Sequence, residues 1–469
     1  MKLTYPRLVF MPILAFLLAM SACSPTNDDA SSTTANKTTS ASNRVSELTL
    51  DNGLKVIVKE DHRSPVVASM VWYKVGSSYE PEGLTGIAHV FEHMMFKGTE
   101  KYAPNEFSRI IAENGGSDNA FTGRDYTAYF QQLEKSRLPI SFELEADRMR
   151  NLKITEEEYL KELEVVKEER RLRTDDKPES FTYEAFNKAA YDVSNYRNPI
   201  VGWPEDLEAL TVDKMRPWYV RYYAPNNATL VVVGDVEPEE VFALAKEHFG
   251  PLSAENIPST PRVLEPIHTE QRRIVVERKA RVPYMMMGFQ VPVIRADNLQ
   301  DWEPYALTVL SGILDGGKSA RFEKNLIRDQ KIAASTWVDY DPVVRLDGML
   351  LIGATPSKDV PTAELEEAIW QQLNAVKSTL VSDKELLRVK AQISAGDVFQ
   401  KDSGFYQALS IGRLETIGLD WQLENEWLSR IKQVTAEQVQ SVAKKYLITE
   451  RSTVATLKPL KPKSLTQSR

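Results

Sequence analysis

The chain has 469 residues, 42% hydrophobic and 26% charged, the proportions of an ordinary globular protein long enough for two or three buried cores. Its 58 Lys and Arg against 66 Asp and Glu leave a net charge of -8, which argues against a nucleic-acid partner, because phosphate binding needs a basic surplus on some face. A single cysteine, Cys23, excludes an internal disulfide framework and a thiolate metal site, and with only five histidines any clustering among them is informative.

Lys2 and Arg7 flank an apolar run, residues 8–20, broken only by Pro12. That run is shorter than the about 20 residues a bilayer requires and suits a signal-peptide core, residues 1–22. Ser21-Ala22-Cys23 then reads as a bacterial lipobox, with Cys23 as the lipidated N-terminus and Met20 where the pattern usually has Leu. Ser24 follows where Asp would favour the inner membrane, so the expected address is the periplasm, anchored to the outer membrane. Residues 23–44 contain almost no large apolar side chain and read as a lipidated, flexible tether.

Globular text begins at 45. Two short strand patterns within 48–59 surround the hairpin-turn pair Asn52-Gly53. A longer strand follows at 66–75, then helices at 89–96 and 105–113, a Gly115-Gly116 break and a strand at 127–132. Helices at 138–152 and 156–172 come next, and an apolar strand, 229–233, ends at Gly234-Asp235. Residues 251–266 are rich in Pro and small polar residues and read as a linker. The order then begins again: strands at 273–276 and 285–291, a helix at 299–314, a strand at 349–352, and helices at 365–380 and 384–400. A long helical run to Tyr446 and a strand at 453–457 complete it. This order implies an α+β chain of two similar halves, 45–250 and 267–460, with a tail at 461–469.

The chemistry concentrates at His89-Val90-Phe91-Glu92-His93. The apolar neighbours Ile87, Val90, Phe91, Met94 and Met95 make a helix with a buried side. Positions i and i+4 of a helix lie about 40° apart, so His89 and His93 project together and can share one zinc ion. Glu92 projects beside them, where a general base would stand, in the H-x-x-E-H order. By chance this pattern arises roughly 0.005 times in a chain of this composition. A third protein ligand is needed, and spacing alone does not choose among Glu156, Glu157, Glu158, Glu162, Glu164, Glu168 and Glu169, most of which form a solvated face. His62, His248 and His268 read as surface residues. Trp203 and the Tyr222-Tyr223 pair read as core or chamber wall.

His89 to His93, with Glu169 in Glu-Val-Val-Lys-Glu-Glu-Arg, resembles the M16 (pitrilysin-type) zinc peptidases, in their short-chain, mitochondrial-processing-peptidase-like branch. Further matching pieces are Gly76-Ser77, Phe96-Lys97-Gly98-Thr99, Asn119-Ala120-Phe121-Thr122, residues 196–203, Tyr223-Ala224-Pro225-Asn226-Asn227, and the strand 229–233 with Gly234-Asp235. The resemblance spans about residues 45–457. It implies that Glu169 is the third Zn2+ ligand, that Glu162 supports the ligands from outside, and that Glu168 is dispensable. It implies metal-assisted peptide hydrolysis with Glu92 as general base. It also implies that Asn119, Ala120, Phe121 and Thr122 form an edge strand that pairs with extended substrate.

The fold so implied is two homologous α/β-sandwich halves, each an antiparallel-rich sheet with helices on one face, together making half of a peptidase chamber that admits unfolded peptides. The family places Arg and Tyr seven residues apart in a substrate-contacting segment of the second half. Here Arg328 is present and Ser335 stands where Tyr is expected. Some bacterial members divide the work between a zinc chain and a partner chain that carries the Arg/Tyr pair. The resemblance therefore points to the zinc chain of a heterodimer, with a homodimer as the alternative. A competing function is a non-catalytic peptide-binding or assembly lipoprotein on the same fold, which the intact ligand set disfavours. A lipoprotein that binds membrane surfaces beyond its N-terminal lipid is disfavoured by the acidic mature chain.

Overall fold

Gly53, at φ +87°, completes the turn that joins β1 (Val45–Thr49) to β2 (Lys55–Glu60) as an antiparallel hairpin. These are the first elements of a computed structural model that describes residues 44–460. The signal peptide, Cys23, the tether up to 43 and the tail 461–469 lie outside the described residues. Among the described residues no helix is long and apolar enough to cross a membrane.

The first half continues with β3 (Val66–Tyr73), α1 (Ile87–Met94), α2 (Glu106–Glu113), β4 (Ser117–Thr122) and β5 (Thr127–Glu134). Then come α3 (Leu138–Asn151), α4 (Glu156–Arg170), α5 (Pro178–Ala190), α6 (Pro204–Ala209), α7 (Val212–Tyr222), β6 (Ala228–Gly234) and α8 (Pro238–His248). The second half holds β7 (Arg272–Arg278), β8 (Tyr284–Val291), α9 (Glu303–Leu314), β9 (Ala333–Tyr340) and β10 (Gly348–Pro356). It ends with α10 (Thr362–Ser378), α11 (Asp383–Lys401), α12 (Gly404–Thr416), α13 (Leu423–Gln433), α14 (Ala436–Tyr446) and β11 (Ser452–Pro459).

The two sheets repeat one plan. The first runs β1-β2-β6-β3-β5-β4 and the second β7-β11-β8-β10-β9. In each, the last strand of the half (β6 or β11) enters between a parallel neighbour (β2 or β7) and an antiparallel one (β3 or β8). Each sheet ends on a free edge strand, β4 or β9. The expected α+β repeat is therefore present, and its sheets are antiparallel-rich.

β3 is buried on both faces. Val67, Val71 and Tyr73 face the core under α1, α3 and α8, while Ala68, Met70 and Trp72 face the other way. The half's own helices cover the first face; the second is covered by α12 from the other half, through Ala408 and Ile411. The exchange is reciprocal, because α5 lays Phe186 and Ala190 on β8 and β11 of the second sheet. A Cβ on Gly412 would lie 2.1 Å from Trp72 Nε1, and one on Gly288 would lie 2.4 Å from Phe186 Cζ. Each half thus lends the other one helix, at contacts tight enough to require glycine.

Several details depart from the sequence reading. The helix expected over 299–314 begins only at Glu303, with Pro304 in its first turn, where its missing N–H costs nothing. The long run to Tyr446 is three helices, α12 to α14, separated where Ser403 and Thr435 cap new N-termini and where Gly418 takes φ +85°. Strand β9 and helices α5, α6, α7 and α8 are additional to it. His268 is not a surface residue, with only 5% of its area exposed.

Candidate metal centre

Helix α1 begins where the chain makes a close crossing. Gly86 takes φ +89°, and a Cβ there would meet Val201 O at 2.7 Å, so any larger residue would displace the helix start. The buried Glu80 carboxylate caps the helix by accepting from the Gly86 and Ala88 N–H groups, both at 2.9 Å. Those are two of the unpaired donors every helix start carries, and burial pushes the Glu80 carboxyl up to about 8. From this fixed start, His89 follows in the first turn, and Glu92 and His93 together one turn later. The two imidazole centroids stand 5.0 Å apart.

Helix α4 starts at Thr155, whose hydroxyl accepts from the Glu158 N–H, and it packs against α1. Glu162 and Glu169, two turns apart on one face, meet the histidines. Glu169 Oε2 lies 3.3 Å from His89 Nε2 and 3.6 Å from His93 Nε2. Glu162 Oε2 lies 3.1 Å from His93 Nδ1, and its other oxygen lies 2.7 Å from Lys97 Nζ. Glu168 points elsewhere and forms an exposed ion pair with Arg171. Immediately after α4 the chain widens into a π-helical turn, Arg171–Asp175, and Arg173 from this turn pairs with Glu169 Oε1.

The donor set fits zinc. Glu169 Oε2 is buried without a hydrogen-bond partner, yet two ring nitrogens converge on it. Around a tetrahedral ion with bonds of ~2.0–2.1 Å, neighbouring ligand atoms stand about 3.3–3.4 Å apart, which is close to the spacing seen. Burial, with His93 nearby, lowers His89 to about 3, so this imidazole is neutral and its lone pair is free. Burial works against a charge on His93 too, but the Glu162 carboxylate on its Nδ1 and the negative charge of Glu169 beside it outweigh burial and raise the ring to about 9. For Glu162, burial is likewise outweighed, by His93 and Lys97, and its carboxylate is stabilised.

Glu92 is buried in the same cleft. Burial raises its proton affinity, and Thr122 Oγ1 donates to Glu92 Oε2 at 2.6 Å. Thr122 ends β4, the edge strand, together with Asn119, Ala120 and Phe121. Ala120 is buried in the α1 core, and Phe121 packs on Trp72 with ring centroids 5.4 Å apart. Side chains of this segment therefore anchor the strand, and its outer backbone edge is what faces outward. Arg328 lies exposed on the π-helical turn Glu323–Asp329 of the second half; among the described residues no hydrogen bond or ion pair joins it to the histidine cluster. Ser335 is exposed on β9, the counterpart of β4, opposite Thr355.

Four contributors escaped the sequence reading: Glu80, Lys97, Arg173 and the hydroxyl role of Thr122. Lys97 sits in the matching Phe-Lys-Gly-Thr piece, but nothing in its spacing reveals that it reaches Glu162. Tyr222 and Tyr223 are core residues, and Trp203 is half-buried beneath Lys188 Nζ, 4.9 Å from its ring centroid.

Residues 55–203 match the family described as Insulinase (Peptidase family M16), and 209–393 match the Peptidase M16 inactive domain. All four residues His89, Glu92, His93 and Glu169 fall in the first match. The chain is 33% identical over 360 residues to the zinc protease PqqE of Helicobacter pylori, covering 76% of this chain and 80% of that protein. It is 26% identical over 416 residues to YmxG of Bacillus subtilis, named an uncharacterized zinc protease, covering 88% and 98%. Among solved structures, a protease from Helicobacter pylori superposes with a TM-score of 0.84 at 30% identity, covering 89% of this chain and all of that one. The first half of the periplasmic protease PqqL from Escherichia coli shares the fold at a TM-score of 0.73 and 20% identity, covering 88% and 91%.

Proposed function

The chain belongs to peptidase family M16, and from that membership we propose a zinc-dependent endopeptidase that hydrolyses unfolded peptides, with His89, His93 and Glu169 as metal ligands and Glu92 as general base. The observation that carries this reading is the convergence of His89 Nε2 and His93 Nε2 on the partnerless Glu169 Oε2, at 3.3 and 3.6 Å. A zinc ion held there supplies Lewis acidity, polarising the scissile carbonyl and acidifying the attacking water. Glu92 takes a proton from the attacking water and delivers it to the leaving nitrogen, and its burial raises its proton affinity. Thr122 keeps the Glu92 carboxyl aimed into the cleft. Glu162, itself held by Lys97, fixes the ring of His93. The outer edge of β4 offers backbone pairing to an extended peptide, which favours unfolded substrates.

In this reading residues 45–250 form the zinc-binding half, 251–266 the linker and 267–460 the second half, with Arg328 contributing to substrate contact. Ser335 in place of tyrosine makes this the zinc-bearing subunit of a two-chain enzyme, or of a homodimer. Residues 1–22 direct export, and lipid on Cys23 holds the protein at the periplasmic face of the outer membrane.

The test is cleavage of a quenched peptide library by zinc-loaded residues 24–469, with Glu92→Gln as control. Cleavage that the control abolishes supports the peptidase and makes the chain self-sufficient. Cleavage that needs a co-purifying M16-like chain supports the two-chain form. Zinc and peptide binding without cleavage in either setting would overturn the enzyme reading in favour of a peptide-binding lipoprotein.

A further inference from the structure

A second group of metal-type donors gathers where the linker meets the first half. Glu265, 9% exposed, accepts from three successive backbone N–H groups: Asp192, Val193 at 3.2 Å and Ser194 at 2.8 Å. The chain just beyond is pinned twice by Gln290, which accepts from the His268 N–H and donates to Pro266 O, both at 2.8 Å. The backbone that presents His268 is thus fixed.

The His268 side chain has no comparable support. It is 5% exposed, and neither ring nitrogen has a hydrogen-bond partner. Buried imidazole nitrogens are normally satisfied, because leaving one unpaired forfeits its hydration without return. One donor atom each from His268, Glu265 and Asp192 lies within 4.8 Å of the others. Ligands around a single ion with ~2.0–2.2 Å bonds stand about 3–4.4 Å apart, so a small inward shift of these side chains would close them on an ion. Arg272 grips Asp192 at 2.6 and 2.9 Å and orients its carboxylate, as outer partners of metal ligands do. Arg197, whose Nη1 donates to Asp192 O at 3.2 Å, is a second guanidinium beside the cluster. Burial and the nearby Arg272 lower the proton affinity of His268, so its nitrogen lone pair is free at neutral pH.

We propose that Asp192, Glu265 and His268 form a second divalent-cation site, separate from the catalytic centre, that ties residues 265–268, where the linker enters the second half, to the 192–194 loop. Mixed imidazole and carboxylate donors favour an ion of the zinc type over magnesium, which takes oxygen. Its place suits a structural clamp. Asn195, next in the loop, donates to Ser78 O and Glu80 O at 3.1 and 2.9 Å, and Glu80 caps α1. The clamp therefore steadies the ground on which the catalytic helix starts.

The experiment is equilibrium dialysis of metal-stripped residues 24–469 against zinc in excess magnesium, followed by elemental analysis. Wild type binds two zinc ions per chain. The double variant His89→Ala/His93→Ala removes the catalytic centre and retains one. Adding His268→Gln to that double leaves none, and adding Asp192→Asn instead weakens the remaining site at least tenfold. Circular dichroism checks that each variant folds; Asp192 is exposed, so its variant decides should the His268 variant fail. Binding of no zinc by the double variant would overturn the proposal, as would retention of undiminished zinc after either second-site change. Wild type that binds a single zinc ion, unchanged in the His89→Ala/His93→Ala variant, would count against the enzyme reading and leave this one standing.

Discussion

The hydroxyl of Thr122 stands 2.6 Å from Glu92 Oε2, so the edge strand holds a carboxyl carried by α1. A hydrogen bond to a charged partner contributes about 1.5–3 kcal/mol, and about 1.4 kcal/mol corresponds to a factor of ten in rate. Thr122→Val keeps the shape and removes the donor. It is expected to lower kcat about tenfold or more with little change in KM, and Thr122→Ser to restore most of the loss. Steady-state kinetics on a quenched peptide measures both. A Val variant that changes only KM would place Thr122 with substrate instead.

Glu162 and Glu168 separate support from mere acidity. Glu162 holds His93 Nδ1 at 3.1 Å and is itself held by Lys97, whereas Glu168 is exposed and paired with Arg171. Removing a group that orients a metal ligand costs about 10–100-fold in affinity. Glu162→Gln should therefore weaken zinc binding by that range, and Glu168→Gln should leave it unchanged. Competition with a chromogenic chelator reads both constants.

The pairing of the two histidines was legible because helix periodicity alone places His89 beside His93. Glu169 was legible only through family likeness, because seven glutamates on α4 share the helical spacing and only the packing against α1 selects among them. β9 escaped notice because its segment, Ala-Ala-Ser-Thr-Trp-Val-Asp-Tyr, lies at a sheet edge and is largely exposed, so no apolar alternation marks it. The exchange of α5 and α12 was invisible for another reason. An amphipathic helix reports that it has a buried face, and nothing in its own residues says which sheet that face meets. His268 was misplaced because the composition of the neighbouring linker predicts exposure, while its backbone N–H is held by Gln290, 22 residues further along the chain.

Asp315 ends α9, where the helix terminus disfavours a negative charge, and Thr336 Oγ1 donates to it at 2.9 Å. Burial raises its carboxyl to about 6, against about 3.9 in an unfolded chain. Between those values the folded state binds more protons than the unfolded one. This residue's contribution is therefore full below about pH 4 and lost as pH rises through 6. Asp315→Asn removes that dependence. Thermal unfolding of metal-stripped wild type and variant should give a Tm difference that shifts in favour of the variant from pH 4 to pH 7. A difference independent of pH would show that Asp315 keeps an ordinary carboxyl.

The exchanged helices make a prediction whose sign is unusual. Replacing glycine by alanine inside a helix ordinarily stabilises by about 0.5–1 kcal/mol, through the backbone entropy lost on folding. Gly396, within α11, has nothing within 4 Å of an added Cβ and should follow that rule. Gly412, within α12, should reverse it, because the Cβ would sit 2.1 Å from Trp72 Nε1. Trp72 cannot retreat. It is fully buried, with Phe121 and Tyr126 edge-on at 5.4 and 5.1 Å. Overpacking of this kind costs about 1–3 kcal/mol. Gly412→Ala should therefore lower Tm while Gly396→Ala raises it slightly, and tryptophan fluorescence should report the disturbance only in the former. Equal behaviour of the two variants would mean that α12 does not press on the first sheet as closely as Trp72 requires.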